Sequence, residues 1–257
     1  MCVIAVKKRG VALPNGDTLR ACFDANPDGT GYMVARGGQV HIRKGFMTLD
    51  DLLADLKTFN VSKRDALVLH FRIATHGGIS KATTHPFPVA ASYKTMRLLN
   101  QSVDLAIAHN GVLDLDSGSD KASDSMALAK ALHNNPSMLN GDGKLLELAI
   151  SGSRVVSLDG SGTLRLFGRG WSKEKCVSYS NSHWVRWLPK KTVATPKKYR
   201  TVTPIRIAVQ KLNTHVRKNV EKRAEAIREK WDREGKPDGA QLDADTLEWF
   251  RRNEYWQ

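Results

Sequence analysis

Apolar residues in the first 180 positions fall into short runs separated by polar punctuation. Runs from Val3 to Val6, Gly31 to Ala35, Val40 to Arg43, Ala66 to Ile73 and Leu105 to His109 read as strands. So do Arg154 to Leu158, Leu164 to Phe167 and Cys176 to Tyr179. Asn15-Gly16 and Gly37-Gly38 mark turns. Two segments change to helical spacing. Thr48 precedes Leu49, Leu52, Leu53 and Leu56, with Asp51 three residues on, and reads as an N-cap. Ser123 opens a second helix carrying Met126, Leu128, Ala129 and Leu132. Strands mixed with two internal helices predict an α+β domain of stacked sheets covered by helices.

The pattern changes after Trp187. Residues 188–204 hold three prolines among lysines and predict a basic, Pro-containing linker. Ile205, Val209, Leu212, Val216, Val220, Ala224, Ile227 and Trp231 then recur every three or four residues, which predicts a long amphipathic helix. Gly235-Lys236-Pro237-Asp238-Gly239 stops it, and a last short helix is expected from Asp245 to Tyr255. Three regions follow: a domain over 2–187, the linker, and a basic amphipathic helical extension over 205–257.

Charge sharpens that division. The chain of 257 residues has a formal net charge of +14. From Arg186 to Glu234 there are fifteen Lys or Arg against five acids. Such a stretch suits nucleic acid, an acidic partner or an anionic surface, or simply forms a solvated helix face. No apolar run reaches the roughly 18 residues a membrane helix needs, and no secretory signal is expected ahead of the domain. Cys2, Cys22 and Cys176 form no C-x-x-C pair and fit a reducing, cytoplasmic setting, with Cys22 and Cys176 expected as small core residues. Scattered histidines, with neither an H-E-x-x-H pair nor a phosphate-binding loop, predict no metal and no cofactor.

Candidate chemistry begins at Cys2. Removal of Met1 would give this residue a thiol and a free α-amine, which together supply a nucleophile and a base. Three segments accompany it: Leu69-His70-Phe71-Arg72-Ile73-Ala74-Thr75-His76-Gly77-Gly78 running on to Thr84-His85-Pro86-Phe87-Pro88, then Ala108-His109-Asn110-Gly111-Val112, then Ser123-Asp124-Ser125. With the early Asn26-Pro27-Asp28-Gly29-Thr30-Gly31, their order resembles the class II glutamine amidotransferases, N-terminal-nucleophile hydrolases that take ammonia from glutamine. The resemblance covers about residues 2 to 185, with Gly160, Gly168-Arg169-Gly170-Trp171 and Ser178-Tyr179-Ser180-Asn181 looking like its closing strands.

The resemblance implies a four-layer αββα fold and a division of labour. Cys2 would attack the side-chain carbonyl of L-glutamine, and Asn110 (side-chain amide) with Gly111 (backbone N–H) would form the oxyanion hole. Arg72, with Thr75 and His76, would hold the α-carboxylate, while Asp124 and Gly111 receive the α-ammonium. An arginine amid the apolar Phe71-Arg72-Ile73 run is costly without a partner, which a carboxylate would supply. His85 and His109 are expected to be structural neighbours of the site, and His70 a core histidine. Where Ile73 stands, many relatives carry an aromatic residue. The segment after Trp187 is expected to be too short for a synthase, so ammonia would pass to an acceptor synthase in trans. Two alternatives are a stand-alone hydrolase of glutamine or a γ-glutamyl amide, and an inactive scaffold binding nucleic acid through the basic helix.

Overall fold

A strand places alternate side chains on opposite faces, and in the central strands of this chain both faces are buried. The computed structural model describes residues 1–74, 79–115, 117–119, 122–139 and 142–189, together with 222, 224–227, 229–231 and 233–235. The chain divides into two compact units, Met1–Lys191 and Thr192–Gln257.

In chain order the first unit contains β1 (Val3–Lys7), α1 (Gly16–Ala25), β2 (Thr30–Arg36), β3 (Gln39–Phe46), α2 (Leu49–Thr58) and β4 (Ala66–Phe71). There follow β5 (Phe87–Pro88), α3 (Tyr93–Met96), β6 (Asn100–Val103), β7 (Leu105–Asn110), α4 (Asp124–Asn134) and α5 (Lys144–Ala149). Four strands close it: β8 (Arg154–Asp159), β9 (Leu164–Phe167), β10 (Ser172–Glu174) and β11 (Val177–Tyr179). Seven strands form one sheet in the order β10-β11-β1-β4-β2-β3-β6, and four form another, β5-β7-β8-β9. Every pairing is antiparallel. The molecule is thus a mixed α+β protein built on antiparallel sheets.

Three apolar clusters follow from the alternation. Val3, Ala5, Tyr32, Val34, Leu67 and Leu69 of the larger sheet pack with Leu19 and Cys22 of α1 and Leu52 and Leu56 of α2. The intervening residues of the same strands, Ile4, Val6, Met33 and Val68, together with Ile42 of β3, pack with Ala106, Ala108, Val156 and Leu158 of the smaller sheet. Ile107 and Val155, on that sheet's other face, meet Met126, Ala129 and Leu132 of α4 and Leu146 of α5. Burial on both faces explains why β1 and β4 read as continuous apolar runs.

Both expected caps form: the Thr48 side chain accepts from Asp51 N–H, and that of Ser123 from Met126 N–H. Other expectations are corrected. Asn15-Gly16 is no turn between strands but a helix start, Asn15 Oδ1 accepting from Thr18 N–H at 2.9 Å to cap α1. Among the described residues of the first unit five helices stand where two were expected: α1 was hidden by the reading of Asn15-Gly16 as a turn, and α3 and α5 are too short for a periodic signal. Cys176 is exposed, not core: Lys175 and Cys176, at φ +47° and +68°, are the two turn residues joining β10 to β11. Of the linker expected over 188–204, residues 190–204 lie outside the described residues, as do residues 205–221 of the long helix and the helix expected from Asp245 to Tyr255. In the second unit Lys222, 224–227, 229–231, Arg233 and Glu234 are helical. Among the described residues no helix is long and apolar enough to cross a membrane.

Candidate functional site

Strand β1 begins one residue after Cys2, and its ladder with β4 pairs Val3 with Phe71. Continuing that register sets Cys2 opposite Arg72. The thiol sits against the next residue: Cys2 Sγ accepts from Ile73 N–H at 3.4 Å and donates to Ile73 O at 3.5 Å. Asn181 Nδ2 donates to Cys2 O at 2.7 Å from the chain just past β11. Burial pushes the Cys2 thiol above its ordinary range, and the Ile73 contact, the α-ammonium and Arg72 only partly offset this. The sulfur therefore rests as a thiol at neutral pH, and a nucleophilic role requires a base. While Met1 is attached, the Cys2 nitrogen is an amide. Met1 itself is 56% exposed.

The segment carrying Arg72 is held through its backbone. Arg72 N–H donates to Gly29 O at 2.9 Å, and Asp28 N–H donates to Arg72 O at 3.0 Å. Asp28 Oδ2 accepts from Ala74 N–H at 2.8 Å, and Thr30 Oγ1 donates to His70 O at 2.6 Å. The early Asn26-to-Gly31 motif is thus a clamp on the strand end that faces Cys2. Arg72 is buried, as its apolar neighbours led one to expect.

Asn110 ends β7 in the other sheet and is 1% exposed. Its Nδ2 donates to Ser180 Oγ at 2.9 Å, and the same oxygen accepts from Ile4 N–H at 2.9 Å. Asn110 Oδ1 is buried with no hydrogen-bond partner among the described residues. Gly111 follows at φ +149°, where a Cβ would overlap the Ser153 hydroxyl, so only glycine fits the chain here. This loop continues to Leu113, whose N–H donates to Asp124 Oδ2 at 2.9 Å. Asp124 is not the helix cap, a role Ser123 fills. Cys2 and Arg72 thus flank the adjoining ends of β1 and β4, Asn110 and Gly111 lie at the end of β7 with Asp124 tied to their loop through Leu113, and Ser180 joins Asn110 to β1. Thr75 and His76 lie outside the described residues.

Behind these groups lie three buried histidines. His70 and His85 stack with centroids 4.1 Å apart, and His109 lies 6.5 Å from His85. His70 Nε2 must donate to His109 O at 3.1 Å, since a carbonyl only accepts. Ser125 Oγ donates to Asp124 Oδ1 at 3.2 Å, so His109 Nδ1–H donates to Ser125 at 2.8 Å. That chain supports the Asp124 carboxylate. His70 Nδ1, His109 Nε2 and both His85 nitrogens are buried without a partner among the described residues. His70 is accordingly less satisfied than a core histidine was expected to be. Burial lowers His70 to about 3 and His109 to about 4, and holds His85 well below its ordinary value. All three are neutral at physiological pH.

Among the described residues no group of three or more His, Cys, Asp or Glu could hold a metal ion. A groove of about 510 Å³, lined in part by Ser102, Asp104, Leu105 and His133, opens at the far end of β7 from Asn110. Residue-by-residue reading missed Ser180 and Asn181 as the contacts of Asn110 and Cys2, although it noted the Ser-Tyr-Ser-Asn run that contains them. Ser125 had no signal beyond its place beside Asp124. Compared with known proteins, the sequence matches no family model and no curated sequence.

Proposed function

We propose that this chain hydrolyses the side-chain amide of L-glutamine as a class II glutamine amidotransferase, with Cys2 as N-terminal nucleophile. The observation that carries the reading is the position of Cys2 Sγ. It lies against Ile73, beside buried Arg72, at the strand end tied through Ser180 to Asn110. The three apolar clusters, helix on sheet, sheet on sheet and sheet on helix, support the four-layer αββα sandwich that such an enzyme uses.

In this reading, loss of Met1 leaves a Cys2 α-amine that takes the thiol proton. The thiolate forms a bond to the glutamine Cδ, and the carbonyl becomes an oxyanion received by Asn110 Nδ2 and Gly111 N–H. Collapse breaks the C–N bond, and the leaving nitrogen takes the proton from the ammonium and departs as ammonia. Water then adds to the γ-glutamyl thioester, the sulfur leaves with its proton restored, and glutamate is released. Arg72 pairs with the substrate α-carboxylate, and Asp124, held by Leu113 N–H and Ser125, faces its α-ammonium. Ammonia passes to an acceptor synthase in trans, with the basic residues beyond Trp187 as the docking element.

The test traps the thioester. With glutamine and hydroxylamine the mature protein should form γ-glutamyl hydroxamate at the expense of glutamate. Ammonia release with no hydroxamate would exclude the acyl-enzyme route. Arg72→Lys, which keeps the charge and loses the planar fork, should raise KM about 10-fold or more with little change in kcat, since hydrogen bonds to charged groups contribute about 1.5–3 kcal/mol. Unchanged kinetics, or equal turnover of glutamine esterified at its α-carboxylate, would remove Arg72 from carboxylate binding.

A further inference from the structure

We propose that Ser180 is a positioning residue for amide cleavage, its one hydroxyl holding the Asn110 amide against the strand that carries Cys2. The inference rests on the glutaminase reading, and its test separates the two.

Strand β11 ends where its ladder with β1 pairs Ala5 with Tyr179. One residue later Ser180 N–H still donates to Ile4 O, at 3.0 Å. The return bond of that pair runs to a side chain instead of a carbonyl, with Ile4 N–H donating to Ser180 Oγ at 2.9 Å. The same oxygen receives Asn110 Nδ2 at 2.9 Å. A serine hydroxyl has two acceptor lone pairs, and these two donors occupy them. One atom therefore couples β1 of the seven-stranded sheet to the end of β7 in the four-stranded sheet. Ser180 is fully buried, so water does not compete for it.

For Asn110 this bond is decisive. With Oδ1 unpartnered, it is the one hydrogen bond the side-chain amide makes among the described residues. Rotating the amide by half a turn still leaves an atom that the hydroxyl can bond, so Ser180 sets where the amide lies relative to β1 in either orientation. Oxyanion donors act only within a narrow distance range of the developing charge. Alanine at 180 leaves the Asn110 amide without that anchor while Arg72 and Asp124 still bind substrate.

The experiment is a double-mutant cycle on the Met1-processed protein, assayed for ammonia release from glutamine. Ser180→Ala should lower kcat about 10- to 100-fold with KM nearly unchanged, the range expected for a misplaced donor. In an Asn110→Ala background the same change should cost less than about twofold, because coupled residues are not additive. Ser180→Thr, which restores the oxygen, should recover much of the rate. Alkylation of Cys2 by iodoacetamide, which forms no oxyanion, should keep its rate in Ser180→Ala. Should the alanine variant not fold, Ser180→Cys, similar in size with a poor acceptor, takes its place with the same expectations. Wild-type kcat in Ser180→Ala, or losses that multiply with Asn110→Ala, would overturn the inference and leave the glutaminase reading standing. Processed wild-type protein that releases no ammonia from glutamine or a γ-glutamyl amide would overturn both.

Discussion

Cys2→Ala is expected to abolish glutamine turnover while leaving the protein folded. Removing a covalent nucleophile typically costs about 10⁴ to 10⁶ in rate, far more than any other single change here. The structural cost is small: the Cys2 side chain makes hydrogen bonds only to the Ile73 backbone among the described residues, at 3.4 and 3.5 Å, long contacts to sulfur. A stability change within about 1 kcal/mol is therefore expected, read by urea unfolding alongside the ammonia assay. Intact-mass measurement of the active wild-type protein should show that Met1 is gone. Active protein that retains Met1 would exclude the Cys2 α-amine as the base, and an active Cys2→Ala would exclude the thiol as nucleophile.

Acid should destabilise the fold well before its carboxylates are protonated. The sign follows from the histidines. His70, His85 and His109 all have folded values below the ordinary 6.5, so below pH 6.5 the unfolded chain binds protons that the folded chain refuses. Stability is full above 6.5 and falls as pH drops from 6.5 toward about 4, where His109 begins to titrate in the fold. One pH unit corresponds to about 1.4 kcal/mol per neutral histidine, so the three together can cost up to about 4 kcal/mol at pH 5.5. Against a typical total of about 5–15 kcal/mol this is large. Carboxylates act lower. Burial raises Asp55, but hydrogen bonds from Arg43 and Tyr32 outweigh it and keep its carboxyl below the usual range, so its contribution is lost only under more acid conditions. Urea unfolding from pH 7.5 to 4.5 checks this. His85→Phe, which removes two unpartnered nitrogens between His70 and Phe87, should flatten the slope by about one proton. A flat profile between 6.5 and 5 would show that the histidines do not carry the effect.

Much of the site's raw material was legible along the chain. Cys2 ahead of an apolar strand, an arginine inside an apolar run, and an Asn-Gly after a buried strand are local patterns, and each of these residues lies at a strand end or beside one. The Asn26-to-Gly31 run was visible as a motif, but its action as a clamp was not. Its contacts reach Arg72 and Ala74, some 45 positions away, and no periodicity reports such a distance. Cys176 misled because a small apolar residue beside a strand looks like core, whereas a two-residue turn forces it outward.

What the sequence by itself determined was eight of the eleven strands among the described residues, the caps at Thr48 and Ser123, and the residue types at the candidate site. Those depend on interactions within a few residues, namely side-chain alternation and local hydrogen bonds, whereas β5, β6 and β10, which are short or polar, carry no alternating apolar signal. Tertiary structure alone decided that Ser180 meets both Ile4 and Asn110, 176 and 70 residues away, and that three histidines share one buried space. Stacking the two sheets put β1, β7 and the end of β11 side by side. There one buried hydroxyl satisfies donors from both sheets.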